Sequence, residues 1–130
     1  MNANRLAEIA VSALEDIKAR DITIIDVSPL TSLFECMIIA SADSSRQTKA
    51  LANSVQAKVK DAGGAVYGVE GEQTGEWVLI DCGDVVVHVM QPAVRQYYNL
   101  EELWGGRLPL PGGRGTGYAN ASAKFASQSM

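Results

Sequence analysis

Apolar positions near the start of the chain recur with a helical rhythm. Leu6, Ile9, Ala10, Ala13, Leu14 and Ile17 follow the i, i+3, i+4, i+7 spacing, with Arg5, Glu8, Glu15, Lys18 and Arg20 on the remaining faces. After Asp21 the pattern changes to the β-branched run Ile22–Val27, a strand that Ser28-Pro29 ends because proline lacks a ladder donor. Met37–Ala40 is a second strand, followed by the polar loop 41–45. Ser44 with Gln47 fits a capping box, Ser41 and Ser45 being the other candidate caps. Leu51, Val55, Val59 and Ala62 then step by three and four to the stop at Gly63-Gly64. Ala65–Val69, Trp77–Asp81 and Val85–Met90 read as three strands joined by turns, favouring two antiparallel hairpins. Pro92 suits the first turn of a short helix through Tyr98, and Asn99 starts another that finishes at Trp104-Gly105-Gly106. The order α-β-β-α-β-β-β-α describes a single α/β domain over 1–106. Residues 107–130, rich in Gly, Ala and Ser with scattered Arg114, Lys124 and Phe125, read as a flexible tail.

Strand parity assigns faces. Val78, Ile80 and Cys82, with Val85, Val87 and Val89, suit a face lying under the two amphipathic helices. Trp77, Leu79 and Asp81 fall on the other side with Val86, His88 and Met90. The hairpin brings His88 near Trp77 or Leu79. An antiparallel sheet can leave one face open, and a patch of Trp, Leu, Met and His is costly to expose without a use.

Composition narrows the function. The 130 residues are 47% apolar and 20% charged, the balance of a globular domain, with 11 Lys+Arg against 15 Asp+Glu. A net charge of -4 argues against direct dependence on nucleic acid and leaves room for a basic protein partner. Cys36 and Cys82 are too few and too far apart for a disulfide framework or zinc motif and read as buried thiols. No apolar run approaches a membrane span or signal peptide, so a membrane partner is not expected and the address is cytoplasmic.

Candidate chemistry is thin. His88, the sole histidine, sits among valines with no triad spacing and reads as structural or contact-forming. Asp81, Asp84 and Glu76 could hold a divalent metal, but Gly83-Asp84 is ordinary turn chemistry, so no metal or cofactor is expected. The run Ala40–Arg46 could cradle a phosphate at a helix start, yet it lacks the glycines and lysine of a P-loop and plain capping is favoured. Tyr97, Tyr98 and Trp104 read mainly as packing for the terminal helix, with one or two exposed.

An ordered set of motifs resembles the ribosomal silencing factor, or Iojap, family. The matching residues are Asp21-Ile22 with Asp26-Val27, Cys36–Ile39 leading to Ser44-Ser45-Arg46-Gln47, and Gly68-Val69-Glu70-Gly71. They continue with Trp77–Asp81, Gly83–Met90, Arg95, Tyr98, Leu100 and Leu103-Trp104. The resemblance covers about residues 3–104. It implies a mixed five-stranded sheet with flanking helices, related to nucleotidyltransferases, and a non-enzymatic role. It also implies binding to the large ribosomal subunit through its protein at position fourteen (uL-fourteen), blocking small-subunit joining, with a further role in large-subunit biogenesis. Strand parity gives the contact surface expected for that role as the open sheet face and its rim: Tyr67, Glu70, Trp77, Leu79, Asp81, His88, Met90, Arg95 and Tyr98, with Trp77 as anchor. Two alternatives stand beside it. One is a nucleotidyltransferase-like enzyme or nucleotide-binding protein, and the other is a homodimer that covers the same patch.

Overall fold

The computed structural model describes residues 1–104; the expected tail over 107–130 lies outside the described residues. Helix α1 spans Ala3–Asp16 and is capped by Asn2, whose Oδ1 accepts the Arg5 N–H at 2.8 Å. Strands β1 (Arg20–Asp26) and β2 (Cys36–Ser41) precede helix α2 (Ser45–Asp61). Strands β3 (Gly68–Glu70), β4 (Trp77–Asp81) and β5 (Val85–Met90) follow, and two short helices, α3 (Pro92–Tyr98) and α4 (Leu100–Trp104), complete the described chain.

The sheet order is β1-β2-β5-β4-β3. Only the central β2–β5 pair is parallel, with Ile38 opposite Val87 and Ile39 opposite His88; the other three pairs are antiparallel. The expected mixed sheet is therefore present, including both hairpins. β3 is shorter than the 65–69 expectation and shifted toward Glu70, since pairing begins only where Gly68 meets Asp81. Ile17, counted among the helical apolar positions, lies outside α1 and is exposed because Lys18 turns the chain with a positive φ of 60°.

Parity correctly identifies the helix-covered face. Leu6, Ala10, Leu14, Leu51, Val55 and Val59 from α1 and α2 bury Ile38, Val78, Ile80, Cys82, Val85, Val87 and Val89. Removal of each such aliphatic side chain from water contributes roughly 1.5–3 kcal/mol. The second face departs from expectation. It carries its own core of Ile25, Val27, Phe34, Met37, Ile39, Leu79, Val86, Met90, Leu100 and Trp104. After Pro92 the chain folds back across the sheet, and Trp104 seats against Phe34 with ring centroids 5.7 Å apart. A central strand that is apolar on both faces needs two covering layers, and α4 with the 30–34 segment supplies the second.

Candidate functional site

Three of the expected contact residues are withdrawn from solvent by that second layer. Leu79, His88 and Met90 are buried, His88 with no exposed surface at all, so they support the surface from beneath and do not form it. Trp77 Nε1–H donates to His88 Nδ1 at 2.9 Å, which places the imidazole proton on Nε2. Burial pushes the His88 pKa down to about 3, so the ring is neutral near pH 7. Its work is to fix the indole.

Arg95 is likewise committed inside the chain. Its Nε and Nη2 donate to the two Glu101 carboxylate oxygens at 3.0 Å each, Nη1 donates to Ser41 Oγ at 2.8 Å, and Nη2 donates to Thr23 Oγ1 at 3.1 Å. This fork binds α3 to α4 and to β1 and β2, and only a guanidinium has the geometry to do so. Arg95 is a positioning residue for the helix that carries Tyr98.

What remains exposed divides along β4. At one end, half-buried Trp77 meets Tyr98 with ring centroids 4.8 Å apart, and Tyr98 meets Tyr97 edge-on at 5.0 Å. Tyr98 is 40% and Tyr97 82% exposed, so the aromatic series runs from the core outward. Glu70, Gly71, Trp77 and Leu79 line a shallow hollow of about 250 Å³ beside it. Tyr67 and Asp81 lie at the opposite end of the strand, about 14 Å away at 3.4 Å per residue. There the Gly83 N–H donates to Asp81 Oδ1, which is a turn contact, as the sequence favours. The structure thus brings Glu70, Trp77 and Tyr98 together and leaves Tyr67 and Asp81 apart. Tyr97 was missing from the expected contacts.

The acidic β3–β4 turn is held rigidly against α2. Ser45 Oγ donates to Thr74 O at 2.8 Å, and Thr48 Oγ1 and Gln91 Nε2 donate to Gly75 O at 2.7 and 3.1 Å. A Cβ on Gly71, at φ +89°, would stand 2.0 Å from the Trp77 carbonyl oxygen, so only glycine closes the turn onto the backbone of β4. These contacts also answer the phosphate reading of 40–46. Ser44 Oγ accepts the Gln47 N–H at 3.1 Å as the α2 cap, and Gln47 Nε2 reaches back to the Ile17 and Lys18 carbonyls. The hydroxyls of that run are used internally, Ser44 in the cap, Ser45 on the hairpin and Ser41 on Arg95. Among the described residues, no group of three or more His, Cys, Asp or Glu is placed to hold a metal ion. Both cysteines are free and buried, and burial raises the Cys82 pKa to about 11 and that of Cys36 as well. Among the described residues, no helix is long and apolar enough to cross a membrane.

The geometry defines a mixed-sheet α/β protein that presents a braced aromatic shelf beside a carboxylate-rich turn. The chain belongs to the RsfS family, described as ribosomal silencing factor during starvation, whose model matches residues 1–127. That match runs past residues 3–104, the span that carries the motifs. The ribosomal silencing factor RsfS of Chromobacterium violaceum is 60% identical over 109 residues, covering 84% of this chain and 89% of that protein. A crystal structure of a protein from the same organism superposes with a TM-score of 0.80 at 59% identity, covering 85% of this chain and 92% of that one. A mouse protein named mitochondrial assembly of ribosomal large subunit protein 1 is 31% identical over 100 residues, covering 75% of this chain and 44% of that protein.

Proposed function

We propose that this protein represses translation by docking on the large ribosomal subunit, through its protein at position fourteen (uL-fourteen), and sterically blocking the small subunit. The observation that carries the reading is the shelf of Trp77, Tyr98 and Tyr97 flanked by Glu70, Glu72 and Glu76. Aromatic side chains braced from below lose little entropy on binding and dominate interface energies. Carboxylates at the rim attract a basic surface and speed encounter. Occlusion requires bulk at the right place and no bond chemistry, and a footprint of about 800 Å² on the partner suffices for a specific complex. The contact surface proposed is Glu70, Trp77, Tyr97 and Tyr98, with Tyr67 and Asp81 at its far margin. The same occupancy fits a role in large-subunit assembly, as the name of the mouse relative suggests. The compartment proposed for this role is the cytoplasm.

Co-sedimentation with isolated subunits tests the reading. The full chain is expected to pellet with the large subunit only and to prevent formation of joined ribosomes. Tyr97→Ala, which removes an exposed ring, is expected to lower large-subunit affinity about 10-fold while shifting stability by under about 0.5 kcal/mol. Unchanged pelleting by both Tyr97→Ala and a folded Trp77→Ala variant would place the contact elsewhere. Concentration-dependent sedimentation of the free protein, abolished by the same substitutions, would identify a homodimer that covers the shelf.

A further inference from the structure

Strand β1 ends the sheet on the flank away from β3 and bonds only to β2. The bulge between Arg20 and Thr23, with Asp21 in the left-handed region at a φ of 52°, confines its regular pairing to Thr23–Asp26. Among the described residues, no backbone hydrogen bond reaches the outer side of Ile22–Ile25. Helix α1 packs mainly on β2 and β5 and stops short of covering β1, so Ile24, on the helix side of the strand, is 55% exposed. We propose that this open edge, together with the groove between β1 and α1, docks an extended basic segment of a partner protein, which adds a strand to the sheet.

The groove has the chemistry for such a segment. It holds about 610 Å³ between apolar Ala7, Val11 and Ile24 and the exposed carboxylates of Glu8, Asp26 and Glu35, with no Lys or Arg in its lining. Asp26 takes the Ser28 hydroxyl and N–H on Oδ1, at 2.6 and 3.0 Å, which leaves Oδ2 for a cation. Glu8 meets Arg5 at 3.5 Å, but that pair is well exposed and easily exchanged. A lysine or arginine on an added strand can lay its methylene stem along Ile24 and Val11 and set its charge among the carboxylates. The alternate residues of that strand face the other way, beside Thr23 and Ile25, where β-branched side chains fit. Three carboxylates repel a phosphate chain, so the occupant is a peptide and not a nucleic acid.

An exposed edge is ordinarily guarded against chance pairing. Here the bulge and Arg20, tied to Asp43, guard only the start of β1 and leave Thr23–Asp26 open. Main-chain bonds along those residues give affinity, and the carboxylate groove selects the charge of what binds. β1 stands three ladder steps from β4, on the flank opposite the aromatic shelf. A partner can therefore occupy it while the shelf is engaged, and the proposal does not depend on the docking reading above.

The test titrates the full chain into a fluorescent octapeptide of alternating Lys and Val, read by anisotropy, and follows amide hydrogen exchange along β1. The peptide is expected to bind and to slow exchange at the outward amides of Thr23–Asp26. Asp26→Asn with Glu35→Gln is expected to weaken binding about 10-fold, and Ile24→Lys, at an exposed position, by at least as much. Glu15→Gln with Asp61→Asn, which removes the same charge from exposed sites elsewhere, is expected to leave binding unchanged. An octapeptide of alternating Lys and Pro keeps the charge but cannot form the ladder, and is expected not to bind. The proposal is overturned if the Lys-Val peptide fails to bind, if the two double variants lose equally, or if the Lys-Pro peptide binds as tightly. Protection of the same outward amides in the protein alone also overturns it. Protection that grows with concentration would place a second copy on the edge, and protection at every dilution would place the end of this chain there.

Discussion

Acid should weaken this fold well before its carboxylates titrate, through one buried ring. His88 has a folded pKa of about 3 against an ordinary value of 6.5, because desolvation disfavours the imidazolium. Between those values the unfolded chain binds a proton that the folded chain refuses, so stability rises with pH. The contribution is fully present above pH 6.5, falls as pH drops through that value, and is lost completely below about 3. From pH 7 to pH 5 the loss amounts to about 2 kcal/mol, a large share of the 5–15 kcal/mol typical of a domain and equivalent to roughly 10 °C in Tm. Asp26, whose carboxyl is held below its usual range by hydrogen bonds from the Ser28 hydroxyl and backbone N–H, acts in the same direction only at more acid pH. The assay is urea denaturation of parent and His88→Asn at pH 7, 6 and 5. Asparagine keeps an acceptor near the Nδ1 position for the Trp77 N–H but does not titrate. The variant starts less stable at pH 7, yet the difference between the two proteins should shrink by about 2 kcal/mol at pH 5. Parallel losses in both proteins would refute the assignment of acid sensitivity to His88.

Three further outcomes follow from packing and backbone geometry. Trp104→Ala opens the second core and should cost about 3–5 kcal/mol in chemical denaturation, with loss of fixed near-UV signal from the shelf. Arg95→Met leaves Glu101 without its bidentate partner and frees the Ser41 and Thr23 hydroxyls, so a loss of about 3 kcal/mol is expected; Glu101→Gln should cost less, because it keeps one acceptor. Gly71→Ala should cost at least about 2 kcal/mol and change Trp77 fluorescence, whereas Gly63→Ala, which meets no atom within 4 Å, should pay only the positive-φ penalty of about 1 kcal/mol.

The helix-covered face was legible because periodicity carries it directly. Leu6, Leu14, Leu51 and Val55 repeat with the helix, and Val78, Ile80, Val85, Val87 and Val89 alternate with the strand. Ser44 and Gln47 announced the start of α2 through capping chemistry alone. The second core was not legible, because parity states which side a residue points to and not what comes to cover it. Covering depends on where α4 lands, and that is fixed by one guanidinium reaching Ser41 and Thr23, 54 and 72 residues earlier in the chain. For the same reason Arg95 read as a contact residue when it is a fastening, and His88 as a surface group when it is the support for Trp77. Trp77 lies beside both Glu70 and Tyr98, two residues expected on the same surface; Tyr97 escaped because exposure of a tyrosine beside another is decided by helix orientation.

The placement of β5 has a consequence for biosynthesis. This late strand occupies the middle of the sheet, so the earlier strands β1 and β2 on one flank and β4 on the other have no common partner until residues 85–90 have been made. Until then the nascent chain offers two separate strand pairs, β1–β2 and β3–β4, and the sheet closes only when β5 joins them, its pairing with β2 being long-range and of the slow kind.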